Sequence, residues 1–235
     1  MLKHILFFLN LFAIITLSAQ SIKQIEPIYQ DYISLLNESG YMVYSYDISE
    51  LKDSSYQINL VIKEYELGKE EPIKIHDFKH GTLKNRLLVK DFMRRELSDD
   101  ELEDLKNNSD DFENGIFRLS DKISIGFLPV ENDSIERFKL RVDNIGTLGS
   151  QLKLRKVFDG HDSDGEYLYG MKPFLTSSFI PNTFIPLALY GSYWYDEQFD
   201  IVRFCGEREI DPELKAEILK DSPHYYIIGV VFKPL

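Results

Sequence analysis

Near the C-terminus, Tyr225 to Phe232 reads YYIIGVVF, a run in which only Gly229 lacks an apolar body. Nothing in it alternates with polar residues, which marks a strand buried on both faces. A chain that ends on such a strand has its C-terminus tied down, so truncation there is expected to harm folding.

The strand theme recurs along the chain. Tyr41–Ile48, Tyr56–Leu67, Ile73–Phe78, Leu83–Phe92, Gly115–Leu119, Ile123–Val130 and Ile135–Val142 are rich in Val, Ile, Tyr and Phe and are bounded by turn-forming residues. Leu152–Phe158, Tyr167–Leu175, Ile185–Tyr195 and Phe199–Cys205 continue the series. Tyr56, Ile58, Leu60 and Ile62 alternate with Gln57, Asn59 and Lys63, as in a half-buried strand. The first two runs, separated by the polar Ser49–Ser55, predict a hairpin. Gly81 predicts the turn between the third and fourth.

Helical signals are fewer. Pro27–Ser39 carries Ile28, Tyr29, Tyr32, Ile33 and Leu36 at helical spacing, with Pro27 in the first turn and Gly40 just past the end. Ser98 and Glu101 form a capping box, predicting an acidic helix from Asp99 to about Lys106. Asp211-Pro212-Glu213 opens a third, with Leu214, Ile218 and Leu219 inward and Ser222-Pro223 at its end. Strands that come in runs, rather than alternating with helices, predict an α+β fold, mainly antiparallel β with about three short helices. An all-β sandwich is the alternative.

The first residues, MLKHILFFLNLFAIITLSAQ, have the layout of a secretory signal: Lys3, an apolar stretch from Ile5 to Leu17, then Ser18 and Ala19. Residues 1–19 are expected to be removed, and residues 20–235 to form a single β-rich domain that is periplasmic or extracellular. The apolar stretch is too short to anchor in a bilayer, so the mature chain is expected to have no membrane span. The segment Glu96–Glu113, with nine carboxylates and one base, is the candidate subdomain boundary, at 96–115; a solvated surface excursion is the plainer reading.

Of 235 residues, 39 are acidic and 27 basic, and removal of Lys3 with the signal leaves a net charge of −13. That balance supplies no basic footprint for phosphates and argues against nucleic acid as a partner. The single Cys excludes an internal disulfide and a thiolate zinc site.

Four places carry the residue types of chemistry. His76 and His80 have half of a zinc-site spacing, but two surface histidines are the simpler reading. Asp159–Glu166 (DGHDSDGE) has part of a calcium-loop pattern, with Gly160 where the first ligand belongs and Met171 where the bidentate Glu belongs; a polar turn without calcium is expected. Cys205 and His224 have the types of a Cys–His nucleophile, yet a lone Cys in an apolar strand is expected to be buried and inert. Neither metal nor other cofactor is expected. Leu189–Phe199 is the densest aromatic cluster. Tyr190, Tyr193, Trp194 and Tyr195 are its candidate ligand-binding residues, with Tyr190 and Trp194 expected on one strand face and Tyr193 and Tyr195 on the other. Two-sided core packing is the competing reading.

The segments FIPLALYGSYWYDE, FDIVRFCGE and SPHYYIIGVVF, with the LSAQ that ends the signal, resemble a family of secreted bacterial proteins of unknown function. The resemblance implies an extracytoplasmic location and no known reaction. Asp133-Ser134-Ile135 is also similar to a short O-glycosylation signal of some such bacteria. The sequence therefore leads to an exported, non-enzymatic binding or interaction protein with a carbohydrate, another envelope component or a protein as partner. A hydrolase of glycans or peptides and a structural envelope protein are the alternatives.

Overall fold

In β2 (Ser55–Glu66), Ile58, Leu60 and Ile62 are buried on one face, and Val61 and Tyr65 on the other. Such a strand needs a layer on each side, and the computed structural model supplies both. It describes residues 33, 36, 38–51, 55–84, 87–88, 97–107, 109–111, 116–117, 120, 122–129, 134–143, 145–175 and 179–235.

The other strands are β1 (Met42–Asp47), β3 (Lys74–Lys84), β4 (Leu87–Leu88), β5 (Ser109–Asp111), β6 (Ile116–Phe117), β7 (Lys122–Phe127), β8 (Ile135–Val142) and β9 (Gly146–Lys153). After them come β10 (Tyr169–Pro173), β11 (Phe184–Ser192), β12 (Trp194–Asp196), β13 (Ile201–Arg203) and β14 (His224–Pro234). The described residues add two short α-helices, α1 (Asp99–Asn107) and α2 (Ile218–Asp221), and one 3-10 turn. The larger sheets have the orders β1-β7-β8-β9 and β10-β11-β14-β2-β3, and every strand pair is antiparallel. The fold is thus mainly antiparallel β. The expected α+β class with three helices overstates the helix, because the third helical signal shortens to one turn.

The two larger sheets enclose one core. Ile58, Leu60 and Ile62 meet Ile228, Val230 and Phe232 of β14, Ile123, Ile125 and Phe127 of β7, and Phe138, Leu140 and Val142 of β8. Burying each such side chain stabilises by about 1.5–3 kcal/mol. Behind β11 and β14, a second core joins Tyr65, Leu189, Tyr225 and Ile227 to Phe174, Ile210, Ala216, Ile218 and Leu219. The apolar run at the C-terminus is therefore a central strand covered on both faces. Residues 36–235 form one compact unit. No helix among the described residues is long and apolar enough to cross a membrane.

Several elements depart from expectation. β1 and β2 do not form a hairpin: β1 pairs with β7, while β2 pairs with β14 and β3. Gly81 is not a turn. β3 runs through it, with a bulge where Ile58 faces Gly81 and Asn59 faces Lys79. A Cβ at position 81 would stand 2.6 Å from Cγ2 of Ile145, so glycine here permits close packing rather than chain reversal. The helix expected at Asp211 starts only at Ile218. Asp211 instead caps a local turn by accepting from the Glu213 amide at 2.8 Å, and Leu214 has φ +61°.

The capping box does form: Ser98 and Glu101 exchange hydrogen bonds of 3.0 and 3.3 Å at the start of α1. Gly40, at φ +84°, ends the segment containing helical Ile33, Leu36 and Glu38, and the Tyr41 amide donates to the Leu36 carbonyl at 3.0 Å. The rest of that helix and the signal segment lie outside the described residues.

Candidate functional site

β3 ends one large sheet and β9 ends the other. Between these two edges a cleft of about 690 Å³ opens. That volume lies within the roughly 300–1,000 Å³ range of small-molecule sites. Strand alternation decides what faces it. His76 sits opposite Ile62 and Phe78 opposite Leu60, so both rings share the inner side of β3. They stack with centroids 5.8 Å apart and planes 6° from parallel, and Phe78 stays 41% exposed. Lys74, Ile73 and Glu64 extend that wall; Ser150, Gln151, Leu152 and Lys153 form the opposite one.

At one end of the cleft lies a hydrogen-bonded chain whose proton positions follow from the Glu64 carboxylate, which accepts, and from an imidazole that burial keeps neutral. The Arg155 amide donates to the Tyr169 hydroxyl oxygen at 3.1 Å. Tyr169 then donates its own proton to Nδ1 of His224 at 2.6 Å. This leaves Nε2 of His224 to donate to Glu64 at 3.1 Å. The imidazole is therefore the neutral Nε2–H tautomer. Burial, at 2% exposure, also holds its pKa below the usual histidine value. The Arg155 guanidinium closes the group, donating to Glu64 at 3.0 Å and to Glu66. Burial pushes the Tyr169 phenol up to about 12.

A fully buried acid lies within the sandwich. Glu136, 2% exposed, accepts from the Tyr190 hydroxyl at 2.7 Å, and its other oxygen is buried without a side-chain partner among the described residues. Desolvation raises its pKa. An aromatic row connects the two groups: Phe127 and Tyr169 stack on Tyr190 at 5.5 and 5.4 Å, and His224 meets Tyr169 and Tyr226 edge-on at 6.0 and 5.0 Å.

The four aromatic candidates do not come together. Tyr190 is 4% exposed within the first core. Trp194 packs against the second. The common face expected for them fails because β11 stops at Ser192, and the chain resumes as β12 in a separate two-stranded sheet. Tyr193, between the strands, stacks on Phe204 at 5.0 Å. Tyr195 packs edge-on against Phe158 and donates to Asp200. Trp194 and Tyr195 do border a shallow depression of about 320 Å³ beside exposed Phe158 and Leu67.

Cys205 is exposed, not buried, because β13 ends at Arg203 and leaves it in the following loop. His224 is not its partner, since both ring nitrogens are engaged by Glu64 and Tyr169. His76 lines the cleft, whereas His80 lies at the β3 bulge with its Nε2 buried and without a hydrogen-bond partner among the described residues. In the acidic loop, Asp159 accepts from the amides of His161 and Asp162, each at 2.8 Å, as a turn-forming aspartate does.

Sequence reasoning passed over Glu64, Arg155, Lys74, Lys153 and Phe78. A signal existed for one of them. Glu64 continues the inward phase of Ile58, Leu60 and Ile62, where a carboxylate needs partners.

The fold and site together define a class: an antiparallel β-sandwich with a mixed polar and aromatic cleft between two sheet edges. The chain belongs to the family described as Domain of unknown function (DUF5041), which matches residues 13–234. No curated protein and no solved structure matches it.

Proposed function

We propose that this is an exported, non-enzymatic binding protein and that the cleft between β3 and β9 is its ligand seat. The observation that carries the reading is the cleft's composition. Flat ring surface at His76 and Phe78 is combined with polar tips at Ser150, Gln151, Lys74 and Lys153. Such a mixture suits a ligand with flat apolar faces and a polar periphery, as carbohydrates have. Glu64 is the one carboxylate among the described lining residues. Arg155 and His224 hold it, which suits a scaffold better than a mobile acid–base group.

A thermal-shift panel of soluble oligosaccharides and peptides tests this. A binder should raise the melting temperature of the wild type and not of Ser150→Trp, whose indole would occupy the cleft. A shift that survives in Ser150→Trp places the seat elsewhere. Chemical conversion of the binder, followed by mass spectrometry, would overturn the non-enzymatic half.

A further inference from the structure

Lys74 and Lys153 border the cleft from opposite sheets, and neither has an ion-pair partner among the described residues. Arg155, the third cation there, is already matched by Glu64 and Glu66. Two lysines on one cleft with no ion pair are unexpected in a chain of net charge −12, where carboxylates outnumber bases. Two cations brought to one cleft repel each other, and an anion between them removes that repulsion. Resting on the cleft as ligand seat, we propose that its ligand is an acidic oligosaccharide, one whose carboxylate is held between Lys74 and Lys153 while a ring face rests on Phe78.

Three features favour a sugar over an acidic peptide. On the inner face of β3 the cleft is lined by Lys74, His76 and Phe78, and on that of β9 by Ser150 and Leu152. An extended peptide added to a sheet would instead use the edge amides. Ser150 and Gln151 offer both donors and acceptors, which hydroxyl-rich ligands match. Phe78, 41% exposed, supplies the apolar platform that a sugar ring requires.

The experiment measures affinity of the mature chain for trigalacturonic acid, for its neutral counterpart galactotriose, and for a short oligoglutamate. Each is compared across wild type, Lys74→Ala/Lys153→Ala and Ser150→Trp, with melting temperatures as a control on folding. Both lysines lie at the exposed rim, so the double variant should melt as the wild type does. The expected result is binding of trigalacturonic acid, weakened by added salt, reduced at least about tenfold in the lysine variant and lost in Ser150→Trp. Galactotriose or oligoglutamate bound more tightly than trigalacturonic acid, with loss in Ser150→Trp, overturns the acidic-sugar assignment and leaves the cleft as the seat. Binding unchanged in Ser150→Trp overturns the seat itself. No binding of any of the three overturns the acidic-sugar assignment.

Discussion

Glu136 and His224 are buried ionisable groups whose effects on stability run in opposite directions with pH. The folded-state pKa of Glu136 is raised, so as pH climbs past about 4.5 the unfolded chain releases the proton first. Stability therefore falls with rising pH from that value toward the raised folded one. Glu136→Gln keeps an acceptor for Tyr190 and removes the charge. It should be more stable than wild type near pH 8, as read from urea midpoints. The folded pKa of His224 is lowered, so below about 6.5 the unfolded chain takes up a proton that the folded one resists. Its contribution is present above that value and lost as pH falls through the folded value. In Glu136→Gln, where the opposing carboxyl is gone, the urea midpoint should drop between about pH 7 and pH 5. A flat profile there would refute the neutral-imidazole assignment. Cys205, being exposed, should react with a maleimide in the native protein without denaturant. Glu136 was legible in the same way as Glu64, since it shares the inward phase of Phe138, Leu140 and Val142. His224 was not legible, because its partners come from strands far apart in the chain.

At the scale of the element, Gly229 and Gly81 each permit a close approach. In β14, a Cβ on Gly229 would collide with the backbone carbonyl of Ile185, beside the bulge in β11 at Pro186. Backbone in the middle of a sheet cannot move aside, so Gly229→Ala should abolish cooperative unfolding or lower stability by more than about 3 kcal/mol. At Gly81 the obstacle is a side-chain methyl of Ile145, which can shift. Gly81→Ala should cost less, about 1–3 kcal/mol, and thermal melts of the two variants would establish the order. Strand identity was largely readable: Ile135–Val142 coincides with β8, and the long apolar run lies within β14. Pairing was not. Proximity in sequence put β1 beside β2, but their partners were chosen by which apolar faces fit across the sandwich. Gly81 was misread because one glycine serves equally in a turn and in a tight packing contact.

For the whole molecule, the strand order carries the main consequence. Deleting residues 224–235 removes β14 from between β11 and β2 and takes Ile228, Val230 and Phe232 out of the shared core. Circular dichroism of that truncation should show loss of the native sheet signal rather than a destabilised native form. The cleft was the least legible feature, because it lies between the edges of two sheets whose strands are far apart in the chain, and no local pattern records that meeting. The strand order also sets a timetable. β14 is made after both of the strands it joins, β2 and β11. Until it emerges, two long apolar strands wait with unpaired edges, so the larger sheet cannot close before β14 has been made. A transcript cut off before the codon for His224 would therefore yield an aggregation-prone product rather than a smaller working protein.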